Sequence, residues 1–148
     1  MEENYIEVDD LLLQYGKDPR RKISFKKRVT FLEAYGFKEE EIKRELTFKG
    51  RKFILYGKVP GIKRRETTTI GEVMIYSPKT VKEDVKKGGI WASIYGYLVG
   101  ADIGVLYLCL PGENSCKPIQ LYIYYIGKSS ESFFKSSIEN YLKKRGEL

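Results

Sequence analysis

The sequence contains no histidine. That absence removes Ser-His-Asp and Cys-His catalysis, zinc sites built on imidazole, and imidazole proton transfer near neutral pH. Cysteine is almost as scarce, with Cys109 and Cys116 alone. Two thiols cannot make a four-cysteine zinc or iron–sulfur centre. They lie seven residues apart across an expected hairpin loop. Unpaired thiols are the first expectation and a disulfide the second. Amide side chains are few, three Asn and two Gln, against 19 Lys and 15 Glu. A chain rich in Lys and Glu and poor in thermolabile amides points to a hyperthermophilic source, archaeal or viral, where intracellular disulfides do occur. No apolar run approaches the roughly 18–20 residues that span a bilayer. The acidic opening, MEENYIEVDDLLL, is unlike the basic start of a signal peptide. A cytoplasmic protein without membrane contact is the expectation.

What is present is a chain of 148 residues, 42% hydrophobic and 32% charged, with net charge +7. That hydrophobic content excludes intrinsic disorder, and the length suits one domain over residues 1–148. The basic balance favours polyanion partners through long-range attraction.

Along the chain, Asp9 or Asp10 can cap a short helix over 11–15, closed by Gly16. Ser24 precedes Phe25, Val29, Leu32 and Tyr35, a helical spacing that stops at Gly36. The charged segment 38–45 reads as a further helical stretch. From Leu46 the period changes, and 46–48 and 53–56 read as a hairpin about Lys49-Gly50, continuing to Ile62. Residues 70–76 read as a strand stopped by Ser77-Pro78. Residues 80–99 read as a helix with a weak point at Gly88-Gly89. Residues 105–110 and 119–126 are strands about a turn over 111–118, and Ser129 or Ser130 caps a final amphipathic helix. The order α-α-β-β-β-α-β-β-α predicts an α+β (α/β layered) domain.

Three strings occur in sequence. Tyr56-Gly57-Lys58-Val59-Pro60-Gly61-Ile62 comes first, then Glu72-Val73-Met74-Ile75-Tyr76. Trp91-Ala92-Ser93-Ile94-Tyr95 follows, with Gly104-Val105-Leu106-Tyr107-Leu108 after it. In order and spacing they resemble the PD-(D/E)XK nuclease superfamily, in its RecB-like branch with the CRISPR-associated exonucleases. The likeness covers about 45–110. It implies a restriction-endonuclease-like core, a central mixed sheet flanked by helices. In that family an Asp and a Glu hold a divalent metal, a Lys orients the attacking water, and a helix carries a Gln. Here Pro60 stands at the Asp, Met74 at the Glu, Tyr76 at the Lys and Trp91 at the Gln. Proline offers no side-chain oxygen, and a thioether is a poor ligand for a hard cation. The resemblance therefore implies a nuclease scaffold without its chemistry, with no metal or cofactor. Glu72, two residues before Met74 and on the same strand face, is the leading candidate for a migrated metal ligand, and Glu45, just upstream of the hairpin, stands where many members of that family carry a helix glutamate. The strings Glu41-Ile42-Lys43 and Asp84-Val85-Lys86 match the about two or three acid-x-Lys hits that chance supplies.

Basic residues gather twice. Lys17, Arg20, Arg21, Lys22, Lys26, Lys27 and Arg28 form one cluster, and Lys49, Arg51, Lys52, Lys58, Lys63, Arg64 and Arg65 form another with no acid between them. From these, Arg20, Arg21, Lys22 and all seven of the second cluster are the candidate phosphate contacts. Tyr95, Tyr97, Tyr122, Tyr124 and Tyr125 are candidate stacking groups, though core packing suits such positions better. The leading expectation is a catalytically inactive nuclease-like protein that binds nucleic acid, DNA above all, without sequence preference. The alternative is a protein-interaction module. It would be an accessory subunit or a virus-encoded regulator of a nucleic-acid-processing or CRISPR machine, with a homodimer among its forms. The third is a metal-dependent DNA nuclease using Glu72.

Overall fold

The computed structural model describes residues 4–111 and 116–147. The chain runs β1 (Asn4–Glu7), α1 (Val8–Leu13), a one-turn 3₁₀ helix (Pro19–Lys22), α2 (Phe25–Glu33), β2 (Lys38–Phe48) and β3 (Arg51–Arg64). It continues with β4 (Thr68–Ile75), α3 (Val81–Val99), β5 (Ile103–Pro111), β6 (Cys116–Tyr125) and α4 (Lys128–Lys144). The six strands form one mixed sheet in the order β1-β3-β4-β5-β6, with β2 on the far edge of β3. This is an α+β layered fold.

β3 organises the sheet. Its 14 residues pair antiparallel with β2 along one edge. On the other edge, Phe53 to Tyr56 pair in parallel with β1, and Gly61 to Arg64 pair antiparallel with β4. β4 and β5 are parallel, so a crossover must join them, and α3 is that crossover. One sheet face packs against α1, α3 and α4 through Ile70, Trp91, Ile94, Tyr95, Phe134, Ile138 and Leu142. The other meets α2, where Leu32 and Phe37 cluster with Val73, Val105 and Tyr107.

Four expectations are corrected. Residues 38–45 are strand, not helix, because β3 supplies a partner along the whole length and Ile42 is the residue buried there. Tertiary pairing overrides the helical preference of Glu and Lys. β1 was not expected; it is four residues long and exists through its pairing with β3. α3 runs unbroken through Gly88-Gly89. A Cβ at Gly88 would lie 2.5 Å from the Tyr124 hydroxyl and 2.7 Å from Leu106, so close helix–sheet packing is what requires glycine there. Finally, Cys109 and Cys116 are joined as a disulfide with Cα atoms 5.3 Å apart, within the range a disulfide needs. The antiparallel hairpin brings them together by pairing Pro111 with Cys116 and Cys109 with Pro118. The expected turn over 111–118 falls largely outside the described residues. Ser24 caps α2, accepting the Lys27 amide. α4 begins one turn earlier, at Gly127, whose amide donates to the Ser130 hydroxyl.

Candidate functional site

Glu72 is wholly buried in the middle of β4. Strand alternation sends it to the same face as Ile70 and Met74, toward α3. Two arginines meet it there. Arg28 of α2 donates from Nη1 to Glu72 Oε2 at 2.7 Å, and Arg20 of the 3₁₀ turn donates from Nη1 to the same oxygen at 3.2 Å. The other oxygen, Oε1, accepts the Val73 amide at 2.9 Å.

Arg20 is aimed inward by local chemistry. Asp18 caps the 3₁₀ turn by accepting the Arg20 amide, and the same carboxylate accepts from Arg20 Nε and Nη2. Nη2 also reaches Asp9 at 2.7 Å. Tyr95 of α3 donates its hydroxyl to Asp9, and the Arg20 guanidinium lies 5.5 Å from the Tyr95 ring centre. Two guanidiniums and three carboxylates thus share one buried network. Its electrostatics are consistent. Burial works to raise the Asp9 carboxyl, but the Arg20 charge and hydrogen bonds from Tyr95 and Arg20 outweigh it and hold Asp9 below its ordinary value. Burial works to lower Arg20, yet Glu72, Asp18 and Asp9 hold it well above the ordinary arginine value. Burial, then the Asp9 charge, pushes the Tyr95 phenol well up.

The residues here do not fit a metal. A divalent cation needs several oxygen ligands with lone pairs to give. Both Glu72 oxygens are engaged, and two fixed positive charges stand within 3.2 Å of one of them. Among the described residues no group of three or more metal-ligating side chains is placed to hold an ion. The four substituted positions are scattered among apolar surroundings. Pro60 is buried, and Met74 clusters with Leu106 and Leu108. Tyr76 packs half-buried at that cluster's edge. Trp91 belongs to the main core beside Ile70, and its indole N–H has no hydrogen-bond partner among the described residues.

Beside the network a groove of about 520 Å³ opens between the 3₁₀ turn, α2, β2 and β3. Arg20, Arg21, Arg28, Lys43 and Lys58 line it, opposed by Glu7, Asp9 and Glu41. The Phe25 ring lies in it with Arg28 5.5 Å and Lys58 5.9 Å from its centre. At the rim, exposed Tyr56 meets exposed Tyr5 edge to face at 6.2 Å, and Lys43 lies 5.9 Å from the Tyr5 ring.

The ten expected phosphate contacts do not form one surface. Arg20 is buried in the ion network, whereas Arg21 and Lys22 are exposed on the 3₁₀ turn. The second cluster is strung along β3, whose 14 residues extend about 45 Å. Glutamates interleave with it: Lys49 pairs with Glu139, Arg51 with Glu147, Lys52 with Glu45 and Arg64 with Glu40. Lys63 lies over the Phe37 ring at 4.2 Å, and Arg65 is exposed in the β3–β4 turn. Only Lys58 joins the first cluster at the groove, with Glu41 3.9 Å away. Of the candidate stacking tyrosines, Tyr95 is buried, Tyr97 packs on Phe134 at 4.9 Å, and Tyr124 donates to the Val85 carbonyl. Tyr56 and Phe25 line the groove instead, with Tyr5 against Tyr56 at its rim. One sequence signal did bear on the network: Asp18 two residues before Arg20 is the spacing of a side-chain cap.

Neither a protein-family model nor a curated protein matches the chain. Among solved structures, the crystal structure of SSO0001 superposes with a TM-score of 0.63 at 19% identity, over 94% of this chain and 77% of that one. That likeness shows a shared fold.

Proposed function

We propose that the chain is a catalytically inactive, PD-(D/E)XK nuclease-like protein that binds nucleic acid in the groove between the 3₁₀ turn and β3. The observation that carries the reading is the pairing of a clamped acid with an aromatic, basic groove. Glu72 spends its carboxylate on Arg20 and Arg28, while Arg21, Lys43 and Lys58 surround Phe25 and Tyr56. Lysine and arginine neutralise phosphates, and exposed rings stack on unpaired bases without regard to sequence. Lys58 is weakly held by Glu41 at the surface, so its ammonium remains available to a phosphate.

The test is anisotropy of labelled single- and double-stranded DNA in EDTA across a salt series. Three to five phosphate contacts give a slope of about −2 to −4 in log K against log salt. Lys58→Glu and Arg21→Glu should each flatten that slope by about 1. Absence of binding at low salt refutes the reading. So does Mn²⁺-dependent cleavage that is lost in Glu72→Gln protein shown by circular dichroism to be folded, which would establish Glu72 as a metal ligand. A second reading, a protein-interaction module of a nucleic-acid-processing complex, draws on the exposed apolar row of β6.

A further inference from the structure

The edges of a sheet leave backbone N–H and C=O groups unpaired, and proteins guard them with charge, brevity or cover. The two long edges here are built in opposite ways. β2, at one side, has seven charged residues among its eleven. β6 ends the sheet at the other side, and from Pro118 through Ile126 it carries no charge. One row of β6 is also bare. Ile119, Leu121, Ile123 and Tyr125 are 40, 50, 51 and 84% exposed. Their row faces the α2 side of the sheet, because Leu121 pairs with Tyr107 and Ile123 with Val105. α2 has only nine residues and clusters with β5, leaving the next strand uncovered.

We propose that β6 is a dimerisation strand, pairing antiparallel with β6 of a second copy so that the sheet continues across a two-fold axis. The strand is nearly self-complementary about Tyr122. An axis there sets Leu121 against Ile123 and Gln120 against Tyr124, as an isologous contact requires, and the β-bulge at Ile119 bounds the paired stretch. The axis stands normal to the sheet, so both apolar rows merge on one face. Charge favours the same choice. Two copies at +7 repel, and this edge lets them meet without apposed charges; Lys117 and Lys128 fall at the rims, where salt screens them. The strand is also held ready, since Tyr124 donates to Val85 of α3 and fixes its inner face. The four side chains expose roughly 100 Å² each, and edge pairing leaves their outer face in water, so the pair buries less than roughly 800 Å², below the standard interface size. The dimer is therefore weak and reversible.

Sedimentation of the full chain from about 1 to 500 µM tests this. The expected result is a monomer–dimer equilibrium that Ile123→Lys and Leu121→Lys each weaken by roughly 100-fold, by placing a charge in the apolar row. Both positions are exposed, so far-ultraviolet circular dichroism should match the parent. Glu39→Gln, at an exposed position on β2, should leave the equilibrium unchanged. A protein that stays monomeric across the range overturns the proposal, as does a dimer that neither β6 variant weakens.

Discussion

Glu72→Gln is the substitution on which the reading of the buried network turns. The change keeps the shape of the side chain and removes its charge. Before it, two guanidiniums face three carboxylates. After it, Arg20 still has Asp9 and Asp18, each at 2.7 Å. Arg28 does not fare so well. Among the described residues, Glu72 is the carboxylate in direct contact with it, Asp9 feels its charge only from farther off, and the Arg28 side chain is 9% exposed. A single buried charge is stranded, which costs about 3–5 kcal/mol. That is a large share of the roughly 5–15 kcal/mol that holds a domain folded. In a domain of this size it lowers Tm by about 6–20 °C. Guanidinium chloride unfolding at pH 7 measures it, followed by circular dichroism and by Trp91, the sole tryptophan, which is buried and shares a small cavity with Arg20. Adding Arg28→Met removes the stranded charge and should restore most of the loss, a coupling that additive behaviour would not show. A Glu72→Gln cost under about 0.5 kcal/mol, or a double variant whose losses simply add, refutes the reasoning.

Asp9→Asn should destabilise the protein at pH 7 and cease to do so in acid. The folded carboxyl sits below its ordinary value of 3.8. Its charged form therefore stabilises the fold above that value, and the stabilisation drains away as pH falls through the lowered folded value. The gap in unfolding midpoint between parent and variant should close as pH falls below the ordinary carboxylate range, and a gap constant with pH contradicts the assignment. Cys116→Ser should cost about 2–3 kcal/mol, the loop entropy of so short a bridge. Dithiothreitol should reproduce that loss in the parent and add nothing in the variant; equal sensitivity of both proteins to reductant would exclude the bridge.

The sequence alone determined whatever depends on neighbours along the chain. Periodicity located α2, α3 and α4, the change of period marked the β2–β3 hairpin, and alternation put Glu72 and Met74 on one face of β4. The absence of histidine and the scarcity of cysteine closed off whole classes of chemistry before any fold was considered. Tertiary structure decided what depends on residues far apart. Residues 38–45 are helix by composition and strand by partnership, because β3 offers hydrogen bonds along their whole length. Gly88-Gly89 would weaken an isolated helix, but in the fold they let α3 settle onto Tyr124 and Leu106. Arg20 looked like a surface cation among others. It is buried because Glu72, 52 positions later, folds against it. The seven basic residues from 49 to 65 looked like one patch and are divided by a long strand and by glutamates from β2 and the C-terminal segment. Charge in a sequence has a sign but no position; pairing across the sheet assigns the position, and with it the choice between a buried clamp, a surface ion pair and an open groove.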